Sequence, residues 1–482
     1  MNCEVVIVGS GFSGICLGIM LKKAGIDSFI IVDKADRLGG TWRDNSYPGA
    51  ICDVPSVSYS FSFELNPDWN DKWSGHAEIL AYMERCTDKY GLGPHMRFGT
   101  EIATARFDEQ DSLWRLTTSD GQEITTRFLA TGTGQLSRPN TPEIARLDEF
   151  GGTVFHSARW NHDYDLCDKR IGVIGNAASA LQFVPRIAPE AGQLFVFQRS
   201  ANWVLPRNMR HYSRKTKDRL RRYPVLNRLY RWWVWLMLEL RFPLFRRNRV
   251  MARMIEGLAK GYIKKTVQCP DLRRVLLPDY PAGAKRILAS DDYYQALGRE
   301  NVDLITTPIE RVTADGVTTA DGKEYAVDAV ILATGFQTTE FLAPMAVHGA
   351  NGCRLEDVWK EGARAYLGIT VPGFPNFFMM YGPNTNLGHN SIIFMIECQA
   401  SYIVDCIAGV KARRASSIEV KHEVMVRWDA RTQKKLARTV WAEAERSWYK
   451  RADGRITNNW SGTHTAYWWA TRRPTFAHYD FR

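Results

Sequence analysis

Two stretches of the chain share one pattern of apolar and polar positions: a strand-length apolar run, a turn of small residues, a helical run and a second apolar run. The first consists of CEVVIV, GSGFSG, ICLGIMLKKAG and SFIIVDK, and the second of RIGVIG, NAASA, a helical segment to about Ala191, and QLFVFQR. In such a βαβ unit the turn brings backbone amides and the helix dipole onto a pyrophosphate. The pattern predicts an α/β fold with two Rossmann-like dinucleotide-binding domains.

The first turn carries a complete dinucleotide fingerprint. Gly9, Gly11 and Gly14 follow an apolar strand and open a helix. Asp33 ends the next strand, 19 residues after Gly14. The glycines allow a tight turn close to a pyrophosphate, and the acid accepts ribose hydroxyl groups. We predict that this unit binds an adenosine without a 2′-phosphate, through Gly9, Gly11, Ser13, Gly14, Asp33 and Lys34.

The second turn is degenerate, because Gly175, Ala177 and Ala180 stand where three glycines are expected. The same step of 19 residues from Ala180 leads to Arg199. A cation at the ribose end of the unit favours a 2′-phosphate, which an acid would repel. We predict an NADPH site that includes Gly175, Asn176, Ala177, Ser179, Gln182, Arg199 and Ser200.

Two apolar strands end in ATG, at Thr131–Gly132 and at Thr334–Gly335. Glycine turns of this kind suit crossings between nucleotide domains, which suggests that the first domain is split. The predicted divisions are 1–140 and 331–482 for the first domain, and 141–204 and 281–330 for the second. Residues 205–280 are predicted to form a helical insertion in the second domain.

The insertion contains much of the positive charge of this chain, whose net charge is +11. Its apolar positions form a helical stripe of Leu226, Leu229, Tyr230, Trp233, Met237 and Leu240. The favoured interpretation is an amphipathic helix packed on its own protein, and the alternative is a contact with a membrane surface or another subunit. The apolar run is far shorter than the roughly 20 residues that span a bilayer. Phosphate-bearing cofactors and this insertion account for the charge, so nucleic acid binding is not expected.

The nine cysteines are scattered, with no CxxC pair and no His/Cys cluster at metal-ligand spacing. This pattern predicts a reduced chain without a metal site. The sequence begins with a buried strand almost at once, MNCEVVIVGSG, which leaves no room for a signal peptide. We therefore expect a cytoplasmic protein.

Several further motifs resemble the flavin-containing monooxygenase superfamily and, within it, the type I Baeyer–Villiger monooxygenases, over nearly the whole chain. LGGTWRDNSYPGAICDVPS follows the first unit, and FGGTVFHSARW matches the fingerprint FxGxxxHxxxW at Phe150, Gly152, His156 and Trp160. Related amine and sulfur oxidisers usually have Tyr or Phe in place of Trp160. The chain departs from the family pattern at Asn161, where Pro or Asp is common. GPNTNLGHNSIIFMIE and GRITNNWSGTHTAYWW resemble the hydroxyacetophenone monooxygenase branch most closely.

The resemblance implies roles for individual residues. Trp448 follows Ser447 in a loop that closes over the nicotinamide cofactor, and the fingerprint histidine, His156, is interpreted as structural. In the AKRI segment, Lys285 is implied as a partner of the NADPH 2′-phosphate and Arg286 as the active-site arginine, oriented by Asp53. The residues implied as FAD contacts are Gly40, Thr41, Trp42, Asp44, Asp53, Tyr59 and Ile102.

The resemblance also implies a reaction. NADPH reduces FAD, O2 adds to give a C4a-peroxyflavin, and the peroxide attacks a ketone to give an ester or lactone. A fixed cation in a pocket with little water keeps the peroxide anionic, and the guanidinium of Arg286 meets that requirement because it does not lose its proton. Aryl, aliphatic and cyclic ketones are all candidates, and the sequence specifies neither regioselectivity nor oligomeric state.

Three other functions were weighed. A flavin monooxygenase that oxidises nitrogen or sulfur would not need Arg286. A flavin disulfide reductase needs a vicinal cysteine pair, which the sequence does not have. A non-catalytic flavoprotein or membrane-surface module would have no use for Asp33, Arg199, Lys285 and Arg286 together.

Overall fold

The computed structural model, which describes residues 2–443, 447–451 and 453–482, contains one mixed and one parallel sheet, one for each predicted βαβ unit. The strands are β1 (Asn2–Val8), β2 (Phe29–Val32), β3 (Met96–Arg97), β4 (Ile102–Asp108), β5 (Leu113–Thr118), β6 (Glu123–Thr131), β7 (Thr153–His156), β8 (Arg170–Ile174), β9 (Gln193–Phe197), β10 (Val204–Leu205), β11 (Leu288–Ala289), β12 (Val302–Ile305), β13 (Ile309–Thr313), β14 (Gly316–Thr319), β15 (Glu324–Ala326), β16 (Ala329–Leu332), β17 (Ala346–His348), β18 (Phe377–Met379), β19 (Ile418–Val420) and β20 (Tyr479–Phe481). The helices are α1 (Phe12–Lys23), α2 (Thr41–Asp44), α3 (His76–Lys89), α4 (Ala178–Ile187), α5 (Arg214–Arg222), α6 (Pro224–Glu239), α7 (Phe242–Phe245), α8 (Arg249–Thr266), α9 (Pro270–Val275), α10 (Tyr293–Leu297), α11 (Leu355–Val358), α12 (Ile392–Ala412), α13 (His422–Leu436) and α14 (His464–Thr471).

The first sheet is built around β1, which lies parallel to both β2 and β6. The apolar strand β1 is buried between these neighbours, as expected for a parallel strand covered on both faces. β4 and β5 continue the sheet in antiparallel register beyond β6, and β18 returns from much later in the chain to lie parallel to β6. The first sheet therefore combines strands from both ends of the sequence.

The second sheet has the order β12-β9-β8-β16-β7, and all its pairs are parallel. Its helix α4 follows β8 as α1 follows β1, which is the repeated βαβ arrangement that the sequence predicted. The two fold units confirm the predicted α/β class with two Rossmann-like domains.

The chain passes between the sheets along two segments that lie side by side. The outgoing segment follows β6, and the returning segment follows β16. The amide of Asn140 donates to the carbonyl of Gly335, at 2.9 Å, and Pro139 forms a bridge with Phe336. Both ATG turns therefore end strands at the crossing between sheets.

The long apolar helix α12 lies in the core of the first domain. It is the one helix among the described residues that is long and apolar enough to cross a bilayer, and most of it is buried within the protein. It packs against α1, whose residues from Phe12 to Ile19 are buried. Its apolar character thus reflects the protein core.

Helices α5 to α9 lie between β10 and β11, which pair with each other in parallel. The interpretation favoured from sequence, that the apolar stripe of α6 packs on its own protein, is wrong for Leu226, Leu229, Trp233 and Leu240, which are 41% to 57% exposed. Tyr230 and Met237 are half-buried. The reason is that polar residues of α6 occupy the inner face.

One inner contact of α6 involves the buried His464. Trp235 Nε1 donates to His464 Nδ1 at 3.0 Å, so Nε2 carries the proton and donates to the carbonyl of Ser391, at 3.0 Å. Burial lowers the pKa of His464 to about 3, against the opposing charge of Glu239. The imidazole is therefore neutral in the folded protein, and its charged or titratable neighbours are Glu239, His389 and Arg231.

This histidine predicts a loss of stability in mild acid. The imidazole of His464 takes up a proton near pH 6.5 in the unfolded chain, but only near pH 3 in the folded protein. Stability is therefore fully present above pH 6.5 and falls by about 1.4 kcal/mol per pH unit below it, or about 2 kcal/mol by pH 5. His464→Gln keeps a donor and an acceptor, so the free energy of unfolding in urea should depend less on pH between 7 and 5. His422→Gln, at an exposed position, is the control. Equal pH dependence in the wild type and His464→Gln would contradict the prediction.

Candidate active site

The first nucleotide turn is closed by contacts that only glycine allows. Gly9 has φ +105°, and a Cβ there would lie 2.6 Å from the carbonyl oxygen of Gly132. A Cβ on Gly14 would lie 1.9 Å from the carbonyl oxygen of Gly9. A Cβ on Gly11 would meet only Cα of Gly40, at 3.9 Å, and the first turn of α1 contains no acid. The amino terminus of α1 thus faces an open backbone cradle that fits a pyrophosphate.

This packing predicts that Gly14→Ala loses FAD. The added methyl group forces the turn and α1 apart, which removes the cradle. The measurement is the flavin content of the purified protein, from the ratio of flavin to protein absorbance. Gly257→Ala is the matched control, because a Cβ there has no neighbour within 4 Å. Full flavin content in Gly14→Ala would show that the turn does not hold the cofactor.

Asp33 lies at the end of β2, where its carboxylate is fixed beside the turn. Oδ2 accepts from the amide of Ser10 at 2.8 Å and from the Ser10 hydroxyl at 2.7 Å. Oδ1 accepts from the amide of Ala35 at 3.0 Å. Lys34 points to the surface and pairs with Glu101 at 3.7 Å. The structure therefore places the predicted ribose acid, Asp33, next to the glycine turn.

The segment from Gly40 to Tyr59 forms the continuation of this cradle. Thr41 begins the short helix α2, in which Trp42 is buried and donates through Nε1 to the Tyr59 hydroxyl at 3.1 Å. The ring of Tyr59 also contacts Phe12 on α1 edge to face, with centroids 5.3 Å apart. Asp44 pairs with Arg43 at 2.7 Å. The predicted Trp42 and Tyr59 are thus joined to the nucleotide helix.

Ile102 lies elsewhere in the first domain. It begins β4, and its side chain is buried in the core with Val6 and Val32. The side chain therefore supports the sheet beside the nucleotide turn.

The second nucleotide turn repeats the first. Gly175 has φ +104°, and a Cβ there would lie 2.5 Å from the carbonyl oxygen of Ala333. A Cβ on Gly9 would clash with the carbonyl oxygen of Gly132 in the same way. Ala177 caps α4 in an extended conformation. Asn176 Nδ2 donates to Gln198 Oε1 at 2.7 Å and to the carbonyl of Ser200 at 3.0 Å. The turn is therefore formed although only its first glycine is present.

Gln182 on α4 joins the two domains. Its Oε1 accepts from the Tyr47 hydroxyl at 3.0 Å and from the amide of Ile51 at 3.1 Å, and its Nε2 donates to the carbonyl of Ile51 at 3.0 Å. Ser179, one turn earlier, lies beside the same Tyr47 hydroxyl. These contacts engage the side-chain amide that sequence reasoning assigned to the cofactor, and they fix the orientation of α4 against the first domain.

Lys285, Arg199 and Ser200 form a cationic group at the ribose end of the second unit. Lys285 Nζ donates to the Ser200 hydroxyl at 3.2 Å and lies 4.4 Å from the ring centroid of Tyr280. Burial lowers the pKa of Lys285, and the charge of Arg199 adds to that effect against Asp279. Two neighbouring cations and a hydroxyl are the donors that suit a phosphate monoester.

Arg286 and Asp53 form an ion pair between the domains. Arg286 Nε and Nη2 each lie 2.6 Å from Asp53 Oδ2. The charge of Asp53 raises the pKa of Arg286 above its ordinary value, against the effect of burial. A guanidinium has five N–H groups, so this arrangement leaves three of them for other acceptors.

Two tyrosines that sequence reasoning missed lie beside this pair. Burial raises the pKa of Tyr449 to about 12 and also raises the pKa of Tyr381, although the charge of Arg286 opposes both shifts. Tyr381 has φ +56°, a strained conformation for a bulky residue that is typical of functional sites. Its hydroxyl donates to Asn386 Oδ1 at 2.7 Å. The signal available for Tyr449 was its position next to Ser447 and Trp448.

A buried arginine, Arg207, was also missed. Burial lowers its pKa, and the charge of Asp53 acts in the opposite direction. Its Nε and Nη2 both donate to the carbonyl of Ala289, at 3.1 and 2.7 Å. A second cation therefore supports the negative charge of Asp53.

Trp448 lies next to Tyr449, with ring centroids 4.5 Å apart. Its carbonyl accepts from the Thr338 hydroxyl at 2.7 Å and from Asn458 Nδ2 at 3.2 Å. Residues 444–446, just before this segment, lie outside the described part. The structure thus brings Trp448 to the neighbourhood of Arg286.

The FxGxxxHxxxW segment contains β7 and ends in the connection between β7 and β8. A Cβ on Gly152 would lie 2.4 Å from the carbonyl oxygen of Asp328, so any residue with a side chain would clash at this position. Trp160 packs against Phe183 of α4, with centroids 5.2 Å apart. His156 is buried, which lowers its pKa, and its Nδ1 accepts from the amide of Ala158 at 3.0 Å. A neutral imidazole in this position fixes the backbone at the end of β7.

Two dinucleotide cradles that face one interdomain arginine define the class of a flavoprotein oxidoreductase with a second nucleotide. A family model described as pyridine nucleotide-disulphide oxidoreductase matches residues 6–224. Among curated proteins, a Baeyer–Villiger monooxygenase of Pseudomonas aeruginosa is 43% identical over 96% of this chain and 88% of its own length. The chain belongs to the Baeyer–Villiger monooxygenase family.

Solved structures agree with this assignment. A steroid monooxygenase bound to NADP superposes with a TM-score of 0.89 and 30% identity over 100% of this chain and 99% of its own. The monooxygenase OTEMO in complex with FAD and NADP superposes with a TM-score of 0.88 and 28% identity over the same shares. The disulphide chemistry in the name of the family model needs a cysteine pair, and all nine cysteines of this chain are free.

Proposed function

We propose that this enzyme uses FAD, NADPH and O2 to insert one oxygen atom beside a ketone carbonyl, giving an ester or lactone. The observation that carries the proposal is the Arg286–Asp53 pair, which presents a permanent cation between the two nucleotide cradles. Oxidation of nitrogen or sulfur has no requirement for such a cation. Family membership and the two nucleotide turns support the same function.

The geometry supports the following contacts with the cofactors. The amides at Gly9, Gly11 and Gly14 hold the FAD pyrophosphate, and Asp33 accepts from its ribose. The turn at Gly175 holds the NADPH pyrophosphate, and Arg199 and Lys285 bind its 2′-phosphate. When bound, NADPH would supply the hydride that reduces FAD, and the reduced flavin would activate O2, the source of the inserted oxygen atom.

Arg286 stabilises the negative charge that develops on the ketone oxygen. Its three remaining N–H groups are the donors, and the pair with Asp53 fixes the plane of the guanidinium. Tyr381 and Tyr449 stay protonated because burial raises the pKa of each hydroxyl. They therefore exclude water without adding a competing anion.

The experiment measures NADPH oxidation by the purified flavin-loaded protein with a panel of ketones, led by aryl methyl ketones and cyclohexanone. Ester or lactone and hydrogen peroxide are quantified together. Ester formed in step with NADPH is expected. Oxidation of thioanisole with no ester from any ketone would favour the sulfur- and nitrogen-oxidising alternative.

We further propose that the helical insertion at 205–280 makes a contact of its own, with a membrane surface or with a second copy of the chain. Of the 17 large apolar side chains exposed in the described residues, ten lie between Tyr223 and Leu258. Exposed apolar side chains concentrated in this way mark an interaction site.

We also propose a cytoplasmic location. All nine cysteines are free, and five of them are buried, so the fold places no demand on an oxidising compartment. Fractionation of the producing cells with an antibody against the protein tests this location.

A further inference from the structure

Helix α6 presents its apolar side to the outside. The large exposed side chains lie at successive turns of one face: Val225 (63% exposed), Leu229 (57%), Trp232 (56%), Trp233 (54%) and Leu240 (56%). Their spacing of three, four or seven residues keeps them on that face. A surface helix of a soluble protein normally turns such a stripe toward the core.

The inner face of α6 combines the buried Leu238 with charged and polar side chains that anchor the helix. Arg231 Nη1 donates to the carbonyl of Val57 at 2.7 Å and to the Ser60 hydroxyl at 3.2 Å. Glu239 Oε2 lies 3.3 Å from both His389 Nε2 and Asn390 Nδ2. These charged and polar contacts anchor α6 to the rest of the protein. A large apolar outer face on a helix that is anchored by polar contacts is expected where the medium outside the helix is apolar.

Helix α8 has a second exposed apolar row. Val250, Met254 and Leu258 lie at consecutive turns and are 79%, 57% and 58% exposed. The exposed Arg249 and Arg253 flank this row. Apolar side chains bordered by cations are the composition of helices that lie in the interface of a membrane.

The charge of the insertion distinguishes between the two partners proposed for the exposed face, a membrane surface and a second copy of the chain. Residues 210–265 contain 17 Lys and Arg and 3 Asp and Glu, a net charge of +14, whereas the whole chain has +11. The rest of the chain therefore has a net charge of −3. A symmetric dimer through this face would bring two strongly positive surfaces together, whereas an anionic bilayer neutralises them.

We propose that α6, α8 and their flanking arginines dock on an anionic phospholipid bilayer and lie in its interface. The inference rests on the proposed contact function of the insertion and selects one partner for it. The 16 residues of α6 are fewer than the roughly 20 that span a bilayer, so the helix lies along the surface. Trp232 and Trp233 sit at the level of the lipid headgroups.

The experiment is flotation of the full-length, flavin-loaded enzyme with phosphatidylcholine vesicles, with or without phosphatidylglycerol. The wild type is expected to float with vesicles that contain phosphatidylglycerol, and to dissociate as salt is added. Trp232→Ser/Trp233→Ser and Arg249→Glu/Arg253→Glu are each expected to partition at least about tenfold more weakly. Flavin absorbance verifies that each variant is folded.

The matched control is Trp468→Ser/Trp469→Ser, because these two tryptophans of α14 are also adjacent and exposed. This control is expected to float as the wild type does. Equal loss of binding in the control, or no flotation of the wild type, would overturn the proposal.

If the wild type does not float, sedimentation of the vesicle-free enzyme shows whether the exposed face binds a second copy of the chain. A dimer that Trp232→Ser/Trp233→Ser disrupts, without flotation, would assign the face to a second copy, and a monomer without flotation would also remove the proposed contact function. Ketone oxidation is measured separately and does not enter either result.

Discussion

Arg286→Ala is expected to lower the rate of ester formation about 10²- to 10³-fold, while NADPH is still oxidised and hydrogen peroxide replaces the ester. The size is that of removing one preorganised donor from a developing oxyanion, about 3 to 4 kcal/mol. NADPH oxidation survives because the nucleotide turns and Lys285 do not depend on this side chain. Product analysis and peroxide assay in the same reaction measure both quantities.

Two further variants sharpen this result. Arg170→Ala removes another arginine that pairs with an aspartate, Asp328, at 2.7 Å, but in the second sheet away from Tyr381 and Tyr449, and it should leave ester formation unchanged. Arg286→Lys keeps the charge but loses the planar donor set, so partial activity is expected. Ester formation at the wild-type rate in Arg286→Ala would remove the arginine from the reaction.

The second large effect concerns the choice of nicotinamide cofactor. Lys285→Ala should raise KM for NADPH about 10- to 100-fold, because a charge-assisted hydrogen bond to the 2′-phosphate is worth about 1.5 to 3 kcal/mol. KM for NADH should change little, since NADH has no phosphate at that position. Steady-state kinetics with both nucleotides give the two values.

Lys323→Ala is the control for this experiment. Lys323 also stacks on a tyrosine, Tyr325, with Nζ 4.8 Å from the ring centroid, but it lies in the small antiparallel sheet of β13, β14 and β15. KM for both nucleotides should be unchanged. A parallel rise of KM for NADPH and NADH in Lys285→Ala would mean that the lysine supports the fold of the site and not the phosphate.

The fold was predictable where one local pattern determines one element. The strand, turn and helix of each βαβ unit follow from consecutive residues, and so does the placement of Asp33 and Arg199 at the ends of β2 and β9. The pairing of Arg286 with Asp53 came from the family resemblance, because 233 residues separate the two along the chain. Tyr381 was missed because it too is far from Asp53 and Arg286 along the chain, and no local pattern marks a residue that the return of the chain brings to the site.

Two features show the limits of local patterns. The cofactor role of Gln182 stays a prediction, whereas its hydrogen bonds to Tyr47 and Ile51 could not be predicted, because the neighbouring domain offers partners that the sequence alone does not reveal. The stripe on α6 was recognised as helical, but periodicity does not state which face is buried. Arg231 and Glu239 determine which face of α6 is turned inward, and their partners lie in distant segments of the chain that a local pattern does not reveal.

The central claim is that one atom of O2 enters the ketone beside its carbonyl. Its most direct test is turnover under ¹⁸O2 with the ketone that gives the most ester, followed by mass spectrometry of the product. One ¹⁸O atom is expected in the bridging ester oxygen, with the carbonyl oxygen unlabelled. An ester without label, or label found only in hydrogen peroxide, would contradict it.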